Sequence, residues 1–285
     1  MDQAARLREL VQGSSPGGVR SLAVASGKGG VGKTNIVVNL SLALARRRKR
    51  VMVLDADLGL ANVDILLGLV PRWDLSQVVR GEKELGEIVI EGPAGIRLIP
   101  GGSGVQELAE MTNQQREGLI RALSRVTEGT DFFLIDTSAG ISRHVLSFAA
   151  AAGEAVIVTT PEPTALTDAY GLIKGLSRLG VRLHLLVNRA LAPGDGREAA
   201  ARLQATARRF LAVEVPLLGI VPEDRTVGLA VREQRPLVLH YPSSPAARAL
   251  EEVADRLAGA PPSPTGGRGG FWQRLSLLWG NRGKR

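Results

Sequence analysis

The nine residues SGKGGVGKT, from Ser26 to Thr34, decide the fold of this chain. Gly27, four further residues, Gly32, Lys33 and Thr34 fit the pattern G-x-x-x-x-G-K-[ST], with an apolar run before it and a helical pattern after it. The glycines let successive backbone N–H groups turn inward around phosphates, and the start of the helix adds positive charge. In such a loop Lys33 contacts the β- and γ-phosphates and the Thr34 hydroxyl ligates Mg²⁺. The stretch therefore predicts a P-loop for a nucleoside triphosphate and magnesium.

The loop contains a second lysine, Lys28, although one is enough to hold a phosphate. Lys28 precedes the phosphate cradle and is expected to point away from it. From the residues alone, Lys28 is a surface cation beside an anionic ligand.

Short apolar runs alternate with helical patterns between residues 19 and 258. Runs that are apolar throughout are typical of strands covered on both faces, and alternation with helices indicates a parallel sheet. We expect an α/β fold with a mostly parallel, twisted sheet, helices on both faces and short amphipathic helices at either end. The predicted strands are 21–26, 51–56, 96–100, 131–136, 155–160, 183–188 and 217–221, and the predicted helices are 33–48, 113–127, 143–152, 164–178, 197–211 and 245–258.

Composition shifts divide the chain into five segments. The predicted units are a partner-binding amphipathic helix at 1–12, a linker at 13–18, the P-loop domain at 19–258, a flexible linker at 259–270 and an amphipathic tail at 271–285. The Pro/Gly/Ser-rich linker argues against tight packing of the tail on the domain.

Charge and cysteine content exclude several classes of protein. The net charge is +8, but five basic residues and no acidic one follow Gly266, which leaves +3 for the rest. The chain has no cysteine, which excludes disulfides, thiolate zinc sites and cysteine-ligated iron–sulfur clusters. No apolar run approaches the ~20 residues that span a bilayer, and the N-terminus lacks a signal-peptide pattern, so we expect a cytoplasmic protein.

Carboxylates follow two of the predicted strands. Asp136 ends the run DFFLID, as a Walker B aspartate does, and can hold Mg²⁺ directly or through water. Asp55 and Asp57 end the run before the segment LGLANVD, where they suggest magnesium or a water nucleophile. The alternative for both is that they cap the following turn.

Several motifs together resemble the MinD/ParA-type ATPases with a deviant Walker A motif. The stretches KGGVGKT, LDADLGLANVDILLGL, LIDTSAG, LLVNR and GIVPED stand in the order of that family, over about residues 20–258. Within it, KTNIVVNLSLALA, DADLGLANVD and IPGGSG are most similar to the flagellar-number regulators of the FlhG/FleN branch. Residues 2–10, DQAARLREL, resemble the activator helix by which those regulators stimulate the signal-recognition-type GTPase FlhF.

The resemblance implies roles for individual residues. Lys28 would reach across an ATP-dependent homodimer to the other subunit's nucleotide, Lys33 would hold its own phosphate, and Asp57 would orient the attacking water. Thr34, Asp55 and Asp136 would serve the metal. Asn188 would contact adenine, with a strand-end cap as its alternative. The expected nucleotide contacts are Gly27, Lys28, Gly29, Gly30, Val31, Gly32, Lys33, Thr34, Asn188, Arg189, Pro222, Glu223 and Asp224.

The tail predicts a reversible contact with the inner face of the cell membrane. Phe271, Trp272, Leu275, Leu278 and Trp279 fall within one arc of a helical wheel, with basic residues nearby. This composition suits an interfacial helix on anionic lipid. The alternative is a tail that packs on the domain or binds protein.

We therefore expect an ATPase that binds ATP and Mg²⁺, dimerises, associates with the membrane and regulates flagellar number with an FlhF-like GTPase. A flagellar switch protein or a transcription regulator is a further possible partner. The basic run RRRKR at 46–50 complements the end of a helix, so DNA is not expected as a partner. Two alternatives are kept: a ParA-type ATPase that binds DNA nonspecifically, and a nucleotide-dependent scaffold with little hydrolysis.

Overall fold

The computed structural model describes residues 19–57, 62–102, 113–260 and 270–280. In these residues the strands are β1 (Arg20–Ser26), β2 (Val51–Ala56), β3 (Ile90–Glu91), β4 (Arg97–Ile99), β5 (Phe132–Ala139), β6 (Glu154–Thr159), β7 (Arg182–Ala190) and β8 (Leu217–Pro222). They form one sheet in the order β3-β4-β2-β5-β1-β6-β7-β8. The pairing is parallel except for β3 with β4. The predicted parallel sheet is confirmed.

Helices cover both faces of the sheet. The long ones are α1 (Lys33–Arg46), α5 (Asn113–Val126), α6 (Arg143–Ala152), α7 (Pro163–Ser177), α8 (Pro193–Leu211) and α11 (Pro245–Gly259). The shorter ones are α2 (Val63–Leu67), α3 (Leu75–Val79), α4 (Leu85–Ile88), α9 (Arg225–Arg232), α10 (Leu237–His240) and α12 (Phe271–Gly280), and a 3₁₀ turn spans Pro93–Gly95. Two apolar clusters form the core, one on each face. No described helix is long and apolar enough to cross a membrane.

The sheet sets where a site can lie. Parallel strands place their carboxyl ends at one edge, and helices that connect them return to the opposite edge. The P-loop follows β1, Asp55 lies near the end of β2 and Asp136 lies in β5 directly beside Asp55 in the register. The three motifs therefore meet at one edge of the sheet.

The tail helix α12 packs on the domain, and the expectation that the linker keeps it undocked is wrong. Phe271 is 4% exposed and lies edge-on to Phe133, with ring centroids 5.2 Å apart, and stacks on Phe148 at 6.2 Å. Leu275 is buried as well. The physical reason is that α5, α6 and β5 leave an apolar surface that the apolar side of α12 covers. The predicted helix at 1–12, the predicted linker at 13–18, residues 261–269 of the second linker and residues 281–285 of the tail lie outside the described residues.

Candidate nucleotide-binding site

The P-loop joins the end of β1 to the start of α1 and is held by a strand on the other side of the site. Gly32 has a left-handed backbone, with φ of +88°. A Cβ at Gly32 would lie 2.5 Å from Nδ2 of Asn188, which itself donates to the Val31 carbonyl at 2.8 Å. Asn188 therefore fixes the loop from the end of β7. This contact is a structural role that sequence reasoning missed, and the adenine contact stays a prediction.

The first glycine of the motif is required by a helix. A Cβ at Gly27 would lie 2.3 Å from the backbone carbonyl of Asp168 in α7, a distance that atoms do not reach. The sequence predicts Gly27 only as a nucleotide contact. The structure shows that α7 packs directly on the loop at Gly27, so the position of the loop depends on the position of α7.

Lys33 and Asp136 form a buried ion pair at the base of the loop. The Lys33 Nζ donates to Asp136 Oδ1 at 2.6 Å, and both side chains are almost fully buried. Burial raises the pKa of Asp136, while the Lys33 ammonium and a hydrogen bond with the Thr34 hydroxyl oppose that shift. The structure thus brings Lys33 and Asp136 into direct contact, with the Thr34 hydroxyl close enough to affect the same carboxylate.

Asp55 and Asp57 lie next to this pair but differ in their partners. Asp55 accepts backbone N–H bonds from Asp57 at 3.2 Å and from Asn62 and Val63 at 3.1 and 3.2 Å. Both Asp55 oxygens therefore hold the turn into α2, as the capping alternative proposed. Burial and the charge of Asp136 raise the pKa of Asp55 to about 7. The charge of Asp57 acts on Asp136 as well, which places Asp57 within electrostatic reach of the site.

The residues at this edge fit a magnesium ion. Asp136 Oδ2 is buried without a hydrogen-bond partner in the described part of the chain, and the Thr34 hydroxyl contacts the same carboxylate. An unpartnered carboxylate oxygen is costly unless a cation or water satisfies it. The described residues contain no group of three or more His, Cys, Asp or Glu that could hold a metal. An ion here would need phosphate oxygens and water to complete its shell, as Mg²⁺ at nucleotide sites usually does.

Lys28 lies outside the phosphate cradle. Its Nζ donates to Glu162 Oε2 and to Thr164 Oγ1, each at 3.0 Å, and its side chain is 39% exposed. Glu162 and Thr164 stand at the start of α7; the sequence predicted a helix here from residue 164 and assigned no functional role to it. The sequence does contain a signal for this contact, because Glu162 stands between Pro161 and Pro163 shortly after a buried strand. The contact makes the position of Lys28 clear and leaves both interpretations of its role open.

The predicted base-contacting residues lie at the ends of β7 and β8. Arg189 has a positive φ of 58° and its Nε donates to Glu223 Oε2 at 2.8 Å. Asp224 accepts from the Thr226 backbone N–H at 2.9 Å and from that of Ala246 at 3.1 Å, so it caps α9 and holds the start of α11. Pro222 ends β8 and pairs with Ala190 in the register. These residues are neighbours in space, and the contacts that they make in the structure are with other residues of this chain.

Comparisons with known proteins agree with this geometry. The family model ParA, described as NUBPL iron-transfer P-loop NTPase, matches residues 19–258. Antiactivator FleN from Pseudomonas aeruginosa is 44% identical over 261 residues, covering 90% of this chain and 93% of that protein. Flagellum site-determining protein YlxH from Helicobacter pylori is 34% identical over 287 residues, covering 96% of this chain and 98% of that protein.

A solved structure, septum site-determining protein MinD complexed with Mg-ADP from Pyrococcus horikoshii, has a TM-score of 0.69 and 28% identity. It covers 85% of this chain, which covers 98% of it. The resemblance predicted from the motifs is confirmed. The chain belongs to the ParA/MinD family of P-loop ATPases.

Proposed function

We propose that this ATPase is a dimerising switch that regulates the number and placement of flagella. The observation that carries the proposal is near-complete coverage, in both directions, of a flagellar antiactivator at 44% identity. A second relative named for flagellar site determination matches over almost its whole length. Coverage of this extent argues that the chain keeps the relative's whole architecture and not only its nucleotide-binding core.

In the proposed cycle the described edge of the sheet binds ATP and Mg²⁺. With both bound, the loop from Gly27 to Thr34 would wrap the phosphates, Lys33 would exchange Asp136 for a phosphate oxygen, and Asp136 would hold the metal. Support for this exchange comes from the unpartnered Asp136 Oδ2 and from the Lys33 pair that a phosphate would compete for. Asp57 orients the attacking water, while Asp55 supports the site through the turn that it holds.

Lys28 is the proposed link between two subunits. An exposed ion pair is worth roughly 0.2–1 kcal/mol, so leaving Glu162 opposes movement of Lys28 only weakly. A lysine on the surface beside the loop is free to meet the nucleotide of a second copy, where it offsets charge that develops on the transferred phosphoryl group. ATP then favours the dimer, and hydrolysis releases it.

Membrane association is proposed for the tail at 271–285. The side chains of Phe271 and Leu275 are buried against the domain and cannot contact lipid in that position. Binding to a bilayer therefore requires α12 to leave its site on α5 and α6. Two tails in one dimer would bind more strongly than one through effective concentration.

Partners are proposed from the relatives. The helix at 2–10 is assigned to an FlhF-like GTPase, and the name antiactivator of the relative fits a transcription regulator as a further partner. The predicted helix lies outside the described residues, so this assignment depends on the sequence alone.

Light scattering after size exclusion tests the switch. The Asp57→Ala protein should elute as a dimer with ATP and Mg²⁺ and as a monomer with ADP, because hydrolysis is blocked and the γ-phosphate persists. A monomer under both conditions would overturn the proposed dimer. Wild-type turnover that is already negligible and unchanged by Asp57→Ala would favour the scaffold alternative.

The DNA-binding alternative is weakened by the ion pairs of the basic run at 46–50. Arg46 pairs with Glu251, Arg47 pairs with Glu251 and Asp255, and Arg50 pairs with Asp131. Most of this run therefore ties α1 and β2 to neighbouring elements. Salt-sensitive binding of duplex DNA in the ATP state would restore that alternative.

A further inference from the structure

The two ends of the described domain meet at the edge of the sheet opposite the P-loop. Arg20, at the start of β1, donates from Nε to Glu154 Oε2 at 3.0 Å and from its terminal nitrogen to Oε1 at 2.6 Å. The same guanidinium donates to the carbonyls of Leu257 at 2.6 Å and Ala260 at 3.4 Å, at the end of α11. The linker to the tail therefore leaves the domain beside the strand at which the domain begins.

Arg274, on the polar side of the docked tail helix, lies at this same edge of the sheet. The Arg274 Nε donates to the Ala151 carbonyl at 2.6 Å, at the end of α6. Two residues further, the Gly153 carbonyl accepts from the backbone N–H of Arg182 at 3.0 Å, where β7 starts. The site of the tail and the start of β7 therefore adjoin at Gly153.

Beyond Gly153 the edge carries exposed arginines next to exposed apolar side chains. We call this surface the helix-end patch; it consists of Arg178, Leu179, Arg182, Arg209 and Phe210. It lies where α7 and α8, which pack side by side, both end. Leu179 is 46% and Phe210 64% exposed. The Arg209 guanidinium carbon lies 5.1 Å from the centroid of the Phe210 ring, so cation and ring are presented together.

The positive charge of the helix-end patch is not compensated locally. Among the described residues no ion pair joins its three arginines to a carboxylate. The acidic neighbours are already matched: Glu214 pairs with Arg208, and the buried Glu154 pairs with Arg20 and His184. The edge therefore presents an excess of cations beside the point where the tail leaves.

We propose that the helix-end patch is a second contact of this protein with an anionic membrane surface, made by the domain itself. Arginines interleaved with exposed Leu and Phe side chains match the headgroup region, where cations meet anionic lipid and apolar tips enter the acyl boundary. Nucleic acid would use the arginines but would leave two apolar side chains without a partner.

The length of the linker keeps the helix-end patch within reach of a membrane that holds the tail. The inference rests on the proposed insertion of the tail for the orientation of the domain. Eleven residues, 260–270, separate α11 from the tail helix, and a chain of that length spans at most ~40 Å. An inserted tail therefore keeps this edge near the bilayer, and the patch can come within the ~8–10 Å over which charges act in salt.

Vesicle sedimentation of the full-length protein with ATP and Mg²⁺ tests the patch. The double variant Arg178→Gln/Arg209→Gln should bind vesicles of phosphatidylcholine with about one third phosphatidylserine ~30-fold more weakly. This factor is ~2 kcal/mol, at ~1 kcal/mol per basic residue and 1.4 kcal/mol per tenfold change. The matched control is Arg197→Gln/Arg202→Gln, which removes the same charge from the first half of α8. It should bind nearly as wild type does.

Two further measurements separate the contributions of the apolar side chains, the arginines and the tail to vesicle binding. Phe210→Ser should weaken binding at low and at high salt alike, whereas the arginine variant should differ from wild type only at low salt. Removal of 271–285 should abolish binding if the tail is the main anchor. Loss of binding in the arginine variant, with full binding by the truncated protein, would overturn the tail and keep the patch.

Three results would overturn the inference. The first is equal binding by wild type and the arginine variant, which leaves the tail proposal intact. The second is no binding of wild type to these vesicles, which overturns both membrane proposals. The third is an arginine variant that loses duplex DNA but keeps vesicles, which would assign the surface to nucleic acid.

Discussion

Replacing Glu154 by glutamine should lower the free energy of unfolding by about 3 kcal/mol at pH 7. Glu154 is 1% exposed and accepts from Arg20 and His184 at 2.6–3.0 Å. Burial alone would raise the pKa of Glu154, but these hydrogen bonds and charges outweigh burial and lower the pKa from 4.5 to about 2. A fall of about 2.5 units corresponds to ~3.4 kcal/mol at 1.36 kcal/mol per unit. Removal of one partner from a buried ion pair lowers the free energy of unfolding by about 3–5 kcal/mol, and here the charge left behind is that of Arg20.

The pH dependence has a definite direction. Because the pKa is lower in the folded state, this stabilisation is complete above about pH 4.5 and is lost as the pH falls towards 2. Urea unfolding followed by circular dichroism, between pH 7 and pH 3, should show the difference between Glu154→Gln and wild type shrinking with acid. At pH 7 the melting temperature should fall by about 6–12 °C, at 2–4 °C per kcal/mol.

A matched control uses a carboxylate whose ion pair is exposed. Glu214→Gln removes the partner of Arg208 at the surface and should leave unfolding unchanged, because water screens that pair. Two results would refute the reasoning about Glu154: a loss below 1 kcal/mol at pH 7, or a loss that stays constant down to pH 3.

Three other outcomes are expected. Lys33→Ala should weaken binding of a fluorescent ATP analogue to the monomer, whereas Lys28→Ala should keep that binding and block the ATP dimer in light scattering; a Lys28→Ala protein that still dimerises would remove the role in trans. Gly27→Ala should force α7 away from the loop and destabilise the protein by about 1–3 kcal/mol, the usual range for overpacking, in urea unfolding; an unchanged midpoint would contradict the contact with Asp168. Phe271→Ala should increase protease cleavage within 261–270 by releasing α12 from Phe133 and Phe148, and wild-type cleavage rates would contradict the docked position.

The strands and long helices could be predicted because each is a local pattern. Seven apolar runs became seven strands of the sheet, and β7 and β8 ended where predicted to within about two residues. The two-residue β3 was missed because its antiparallel pairing with β4 depends on tertiary contact and leaves almost no pattern. The short helices α2, α3, α4 and α10 were missed because four or five residues are too few to show a helical period, and the eight residues of α9 span only about two turns.

The candidate site divides in the same way. The loop, Asp55 and Asp136 follow from strand ends and motif spacing, and the structure brings them together. The partners of Lys28 lie 134 and 136 positions away along the chain, and no local pattern records such contacts. The docking of α12 was also out of reach, because composition shows that a helix is amphipathic but not which apolar surface is left open for it.

The meeting of Arg20 with Ala260 decides how this protein can be labelled. A reporter placed ahead of residue 19 and one placed after residue 260 would stand at the same edge of the domain, since 3.4 Å separates the Arg20 nitrogen from the Ala260 carbonyl oxygen. A label at residue 19 therefore lies at the same edge of the sheet as a label at residue 260, where the linker to the tail begins. Because the chain has no native cysteine, dyes on Val19→Cys and Ala260→Cys would form a short, fixed reference pair. Against that constant signal, movement of the tail could be followed without a bulky tag at either end.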